Sequence, residues 1–167
     1  MDAYEAIVTK RDTRSYLDEP VDPDLLDRVL RAARMAGSAK NAQLTRLVVV
    51  TDPAIRAALA RCGDFTAWIG SAPVVIVLVA PVEGGRLFDL GRMAQNLMVA
   101  AHAEGLATCP VTFHHQDRLR TAIDLPDDLE GPMAITLGRP GPADPSRPRA
   151  PRVPLDDLVH RDRWLAR

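Results

Sequence analysis

The chain opens on a short amphipathic segment. Asp2 stands where a helix begins, with Glu5 three residues on, an acidic analogue of the capping box. Ala3, Ile7 and Val8 supply its apolar side. After Glu19-Pro20, Asp22 is a natural N-cap and Pro23 a natural first helical residue. Leu25, Leu26, Val29, Leu30 and Ala33 follow at helical spacing and predict a second helix that stops near Gly37. The small, polar residues from Gly37 to Gln43 read as an ordered loop.

The period then changes. Leu47 to Thr51 is a β-branched run and predicts a strand. Asp52-Pro53 restarts a helix that runs to about Arg61. Pro73 to Val79 is apolar with little alternation, which predicts a strand covered on both faces. Gly84-Gly85 is a turn, and a long helix is predicted from Arg86 to Glu104. Leu87, Leu90, Ala94, Leu97, Met98 and Ala101 give it a wide apolar stripe, which Met93, Val99 and Ala100 widen further. Such a helix belongs at the centre of a fold or in an interface. Gly105 is its natural C-terminal cap. Thr108 to Phe113 reads as a strand, Gln116 to Ile123 as a helix and Met133 to Leu137 as a strand.

From Arg139 the pattern lapses into prolines and arginines: Arg139, Arg147, Arg149 and Arg152. This is an extended arm without a core of its own, ending in a short helix start at Pro154 to His160 and then Trp164. Two helices followed by interleaved strands and helices, with too few strands for a sandwich of sheets, point to an α+β or three-layer α/β architecture.

Composition narrows this. At 167 residues and 47% hydrophobic, the chain is one globular domain, and with 4% aromatics its core must be aliphatic. A net charge of -1 gives no general reason to expect nucleic acid or an anionic membrane as partner. The N-terminus is acidic and lacks the apolar run of a signal peptide. The longest apolar stretch, Ala72 to Pro81, is too short to span a bilayer as a helix. Cys62 and Cys109 have no framework spacing and read as free thiols, so a cytoplasmic protein is expected.

Against this neutral background, Lys10-Arg11-Asp12-Thr13-Arg14 places three cations within five residues. Arginine offers paired planar donors and lysine a point charge, so the cluster can hold a phosphate. Its bland alternative is a basic helix end that suits the helix dipole. No Gly-rich phosphate loop is present, no serine lies in a nucleophile elbow, and no histidine pair has metal-ligand spacing, so no metal site is expected. His114-His115 reads as a polar turn rather than an acid/base pair, and Cys62 and Cys109 as core residues. What remains is the basic cluster, the loop at 38 to 43 and the arginine arm. Binders without a nucleophile or general base suggest that a cofactor does the chemistry.

The chain resembles the FMN-dependent nitroreductase family over nearly its whole length. Lys10 to Tyr16, followed by Asp18-Glu19-Pro20-Val21, is similar to its opening basic motif. Ser38-Ala39-Lys40-Asn41-Ala42-Gln43 is similar to its Ser-x-x-Asn-x-Gln loop, and Asp89 to Leu97, running on to Glu104-Gly105-Leu106, to its central helix. Leu125-Pro126, Leu137-Gly138-Arg139-Pro140 and Pro154 to His160 complete the series in order. The resemblance implies a three-layer α/β/α sandwich with a mixed central sheet. It implies a single domain over 1 to 167, with the extended arm at 139 to 167 packed on a partner subunit, and a homodimer with FMN at the subunit interface. NAD(P)H would be the co-substrate, and a nitroaromatic, quinone or activated alkene the acceptor.

By position, Lys10, Arg11 and Arg14 would grip the FMN phosphate, joined from the arm by Arg152, with Arg149 second. Ser38, Asn41 and Gln43 would contact the isoalloxazine or ribityl chain, often from the other subunit, and Lys40 is the candidate donor at the pyrimidine edge. Three departures stand out. Asp12 replaces a common Ser, which calls for a pairing with a neighbouring Arg or a turn to the ribityl side. Leu44-Thr45 replaces the usual Pro-Trp, and Cys109 to Phe113 lacks the glycine often found near flavin N5. The Arg-Asp-x-Arg variant also occurs in a branch that fragments FMN with oxygen, so that reaction, and a non-catalytic flavin-storage role, are the alternatives.

Overall fold

The structure is a computed structural model and describes residues 1–142 and 150–164. Arg147 and Arg149 lie outside the described residues. Helix α1 is Ala3–Thr9, α2 Pro23–Arg34, α3 Pro53–Leu59, α4 Leu87–Ala103, α5 Gln116–Ile123 and α6 Leu155–Leu158. Strand β1 is Arg46–Val50, β2 Val74–Pro81, β3 Ala107–Thr112 and β4 Leu129–Gly138. The helix starts follow the sequence. The Asp2 side chain accepts from Glu5 N–H, Asp22 from Asp24 N–H, and Asp52 from Ala54 and Ile55 N–H.

The sheet order is β1-β2-β4-β3, and every ladder is antiparallel. The expected mixed sheet is thereby corrected. β2 and β3 do run in the same direction, as a strand–helix–strand connection makes them. The last strand, β4, inserts between them and runs against both. The parallel pairing among the described residues is a single bridge, Asp12 to Thr108, along the outer edge of β3.

Helices cover both faces, giving the three layers. On one face α2 and α4 pack Val29, Ala33, Leu90, Leu97 and Ala101 against Ile76, Leu78, Ile135 and Leu137. On the other, Leu59 of α3 and Leu119 of α5 pack against Val75, Val77 and Ala134. β2, the strand without clear alternation, is buried on both sides, as its pattern predicts. Two apolar sides are only partly buried within the chain. In α1 the buried residue is Ala6, while Ile7 and Val8 are 58% and 44% exposed. In α4 the stripe from Leu90 to Ala101 is buried, but Leu87 and Phe88 are 65% and 78% exposed. Among the described residues no helix is long and apolar enough to cross a membrane.

The N-terminal segment is sewn to the sheet beyond its helix. Thr13 N–H donates to Thr108 O at 3.0 Å, and Leu17 N–H to Arg139 O at 3.1 Å. Between them the Tyr16 hydroxyl donates to Thr13 O at 2.6 Å and meets Thr136 Oγ1 at 2.6 Å. Burial pushes the Tyr16 phenol well above its ordinary value.

Two stability predictions follow from this packing. Leu97→Ala removes a fully buried side chain between two layers and should lower stability by about 2–5 kcal/mol, read as a lower urea midpoint. Tyr16 retains its proton in the folded state after the unfolded chain loses it. Its stabilisation is therefore complete below about pH 10 and declines as pH rises beyond that. Tyr16→Phe should lower stability by about 1–2 kcal/mol at neutral pH and should flatten that alkaline decline in urea melts.

Candidate functional site

The three cations of the opening motif have three different settings. Arg11 turns back on its own helix, and its Nη1 donates to Val8 O at 2.7 Å and to Lys10 O at 2.6 Å. For this residue the bland reading holds: it satisfies carbonyls at the C-terminus of α1. Lys10 is carried inward, its side chain only 9% exposed. Its ammonium meets the Asp12 carboxylate and, at 3.3 Å, the Met98 sulfur of α4. Asp12 thus finds a lysine partner rather than the arginine its position suggested. A nearly buried ammonium with three donors, one carboxylate and one thioether retains capacity for a further anion.

Arg14 lies on the outer side of the segment. Its guanidinium sits 4.9 Å from the centroid of the Trp68 ring, a cation–π distance. It also reaches the Cys109 thiol, whose pKa burial pushes up and this contact tempers. Arg14 and Trp68 wall a cleft of about 440 Å³, completed by Phe65, Pro110, Thr112 and His114 among others. Beside it, the Thr108 hydroxyl is buried without a hydrogen-bond partner.

The Ser-x-x-Asn-x-Gln loop is tied to the other end of α4. Ala39 N–H donates to Asp89 Oδ2 at 3.0 Å, and Arg86 Nη1 donates to Ala39 O at 2.8 Å. Gln43 N–H donates to Ser38 Oγ at 2.9 Å, closing the loop on itself. Lys40, Asn41 and Gln43 have φ of 54°, 53° and 49°. Three non-glycine residues in the left-handed region hold strain of a kind that clusters at binding sites. All three side chains are exposed. Ser38 and Gln43 also line a second, more apolar cleft of about 370 Å³ with Leu30, Arg34, Asp89 and Met93.

Lys10, Asp12 and Arg14 therefore come together, and Ser38, Lys40, Asn41 and Gln43 come together, but the two groups do not meet within this chain. The loop is fixed at Asp89 and the lysine at Met98, nine helical residues apart, or about 14 Å along the axis. Arg152 lies exposed on the arm, and Arg149 lies outside the described residues. Trp68, Thr108, Met98 and Asp89 were missed in the sequence. For Trp68 a signal existed, since it is one of two tryptophans in a chain with 4% aromatics. For the other three, nothing local distinguishes them from core or helix surface. Among the described residues no group of three His, Cys, Asp or Glu side chains is placed to hold a metal ion.

Known proteins share this sequence and fold. The sequence pattern of the nitroreductase family matches residues 7–64 and 64–139. An NADH dehydrogenase of Thermus thermophilus is 30% identical over 95% of this chain and 95% of its own length. An FMN reductase [NAD(P)H] of Bacillus subtilis is 23% identical over 98% of this chain and 75% of its own. The structure of an FMN-dependent nitroreductase from Clostridium difficile R20291 superposes with a TM-score of 0.81 at 22% identity, over 96% of this chain and 99% of that one. With the family pattern running through both the basic segment and the loop, and a relative of 30% identity along nearly the full length, the chain belongs to the nitroreductase family.

Proposed function

We propose that this chain is an NAD(P)H-dependent FMN oxidoreductase that acts as a homodimer, with each flavin shared between a basic segment of one subunit and a loop of the other. The observation that carries the shared site is the separation of those two elements along α4. Apolar surface supports a partner copy. Tyr4 and Ile7 of α1 are 76% and 58% exposed, and Leu155, Leu158 and Trp164 of the arm are 70%, 67% and 81% exposed.

The residues present fit FMN. The Lys10 ammonium and the Arg14 guanidinium suit its phosphate. Asp12 does not oppose the phosphate, because Lys10 engages it. Arg152 joins from the arm, and Ser38, Asn41 and Gln43 meet the ring from the partner copy, with Lys40 at the pyrimidine edge. When bound, the flavin supplies two-electron hydride chemistry between a reduced nicotinamide and a small organic acceptor such as a nitroaromatic, quinone or activated alkene. The protein's part is to bind the phosphate, orient the ring and exclude water from one face. The names of the relatives, an NADH dehydrogenase and an FMN reductase [NAD(P)H], support that class of reaction.

Arg14→Ala should weaken FMN binding about 10- to 100-fold, the loss of one charge-assisted contact, measured by quenching of flavin fluorescence. An unchanged affinity removes Arg14 from the phosphate site. Analytical ultracentrifugation should give twice the mass of the 18.2 kDa chain; a monomer with tightly bound FMN contradicts the shared site.

A further inference from the structure

The second cleft lies where the sheet outruns its helices. α2 and α4 pack over the centre of their face of the sheet, on Ile76, Leu78, Ile135 and Leu137. β1 is the edge strand, and its residues on that face are less well covered. Leu47 is only partly buried, and Val49 is 38% exposed. Leu30 of α2 and Met93 of α4 extend this apolar floor, and Leu44 and Thr45 stand in the wall. They are the pair that replaces the usual Pro-Trp, and a threonine leaves open the space that an indole would fill. The loop forms another wall and is fixed, Ala39 by Asp89 and Arg86, and Gln43 by Ser38 Oγ. The cavity of about 370 Å³ is therefore preformed. It falls near the lower end of ligand pockets, about 300–1,000 Å³, and suits one ring with a short substituent rather than a nucleotide.

The charges select the substituent. Arg34, in the last turn of α2, lines the cleft and makes no hydrogen bond or ion pair among the described residues. Arg46 Nη1 donates to Gln43 O and Thr45 O, which fixes the guanidinium and leaves Nε and Nη2 for a ligand. Asp89 also lines the cleft, and its Oδ2 is engaged by Ala39 N–H at 3.0 Å. Among the described residues the lining thus carries a single net positive charge beside an apolar floor. A monocarboxylate matches that balance, whereas a phosphate dianion exceeds it. Guanidinium groups hold carboxylates through paired N–H donors.

We propose that this cleft is a binding site for a small apolar monocarboxylate, an aryl or short alkyl acid. Its hydrocarbon part lies on Leu30, Leu47 and Met93, and its carboxylate is held by Arg34 and Arg46. The site includes neither Lys10 nor Arg14, and its occupation does not depend on the proposed flavin chemistry. Ser38 and Gln43 line it, so the acid is either the acceptor of that chemistry or a separate ligand that acts through the loop.

Benzoate is the probe, titrated by calorimetry into the full chain, with benzamide as its uncharged counterpart. Benzoate should bind saturably and benzamide at least about tenfold more weakly, the loss of a charge-assisted contact. Arg34→Ala should weaken benzoate to a similar degree, and Thr45→Trp should abolish its binding by filling the cleft. With ¹³C-labelled methionine methyl groups, benzoate should shift Met93 and leave Met98, which lies at Lys10, in place. Equal binding of benzoate and benzamide, a shift at Met98 instead of Met93, or no saturable binding overturns the proposal. If binding is absent and Arg34→Ala also lowers the mass in sedimentation, the cleft is a subunit contact instead. None of these readouts needs turnover, so a failure of the flavin reading leaves them standing. With NADH and p-benzoquinone, inhibition by benzoate that is competitive with the quinone assigns the carboxylate to the acceptor; any other pattern assigns it to a separate ligand.

Discussion

Helix α4 holds the loop through its first turn and the basic segment through its last turns, and a rigid helix cannot shorten. Asp89 and Arg86 fasten Ala39 at one end. Met98 and His102 receive Lys10 and Thr9 toward the other. The buried stripe between, from Leu90 to Ala101, locks the helix against the sheet. The spacing of the two segments is therefore a property of the core. In the proposed homodimer each subunit would present half of two sites, and the exposed apolar surfaces of α1 and the arm would face the second copy.

The basic motif is less uniform than its sequence suggests. Of its cations, Arg11 serves the helix end, Lys10 is drawn inward with Asp12, and Arg14 reaches the cleft. The helix-end reading is thus realised at Arg11, and the anion site we propose falls to Lys10 and Arg14. The division follows from where the chain turns. α1 ends at Thr9, so Arg11 still reaches its last carbonyls, whereas Thr13 and Asp12 are already pinned to Thr108 and send the next side chain outward.

Much of this was legible in the chain. Asp2, Asp22 and Asp52 announced their helices because capping is local chemistry, and Pro73 to Val79 announced a strand covered on both faces because burial leaves no polar alternation. The mixed sheet was implied by the family resemblance alone, and the insertion of β4 between β2 and β3, which makes every ladder antiparallel, is decided by long-range pairing. Residues 38 to 43 and 10 to 14 stand out in the sequence as candidate binding elements, but their separation along α4 has no one-dimensional signature.

The shared site is tested most directly by mixing subunits. Arg14→Ala damages the basic half and Asn41→Ala with Gln43→Ala the loop half, so each homodimer alone should bind FMN weakly. After the two variants are unfolded and refolded together, mixed dimers contain one site with both lesions and one with neither. Full-affinity FMN binding should then reappear in the mixture. If affinity stays as weak as in the separate variants, both halves act within one subunit and the account is wrong.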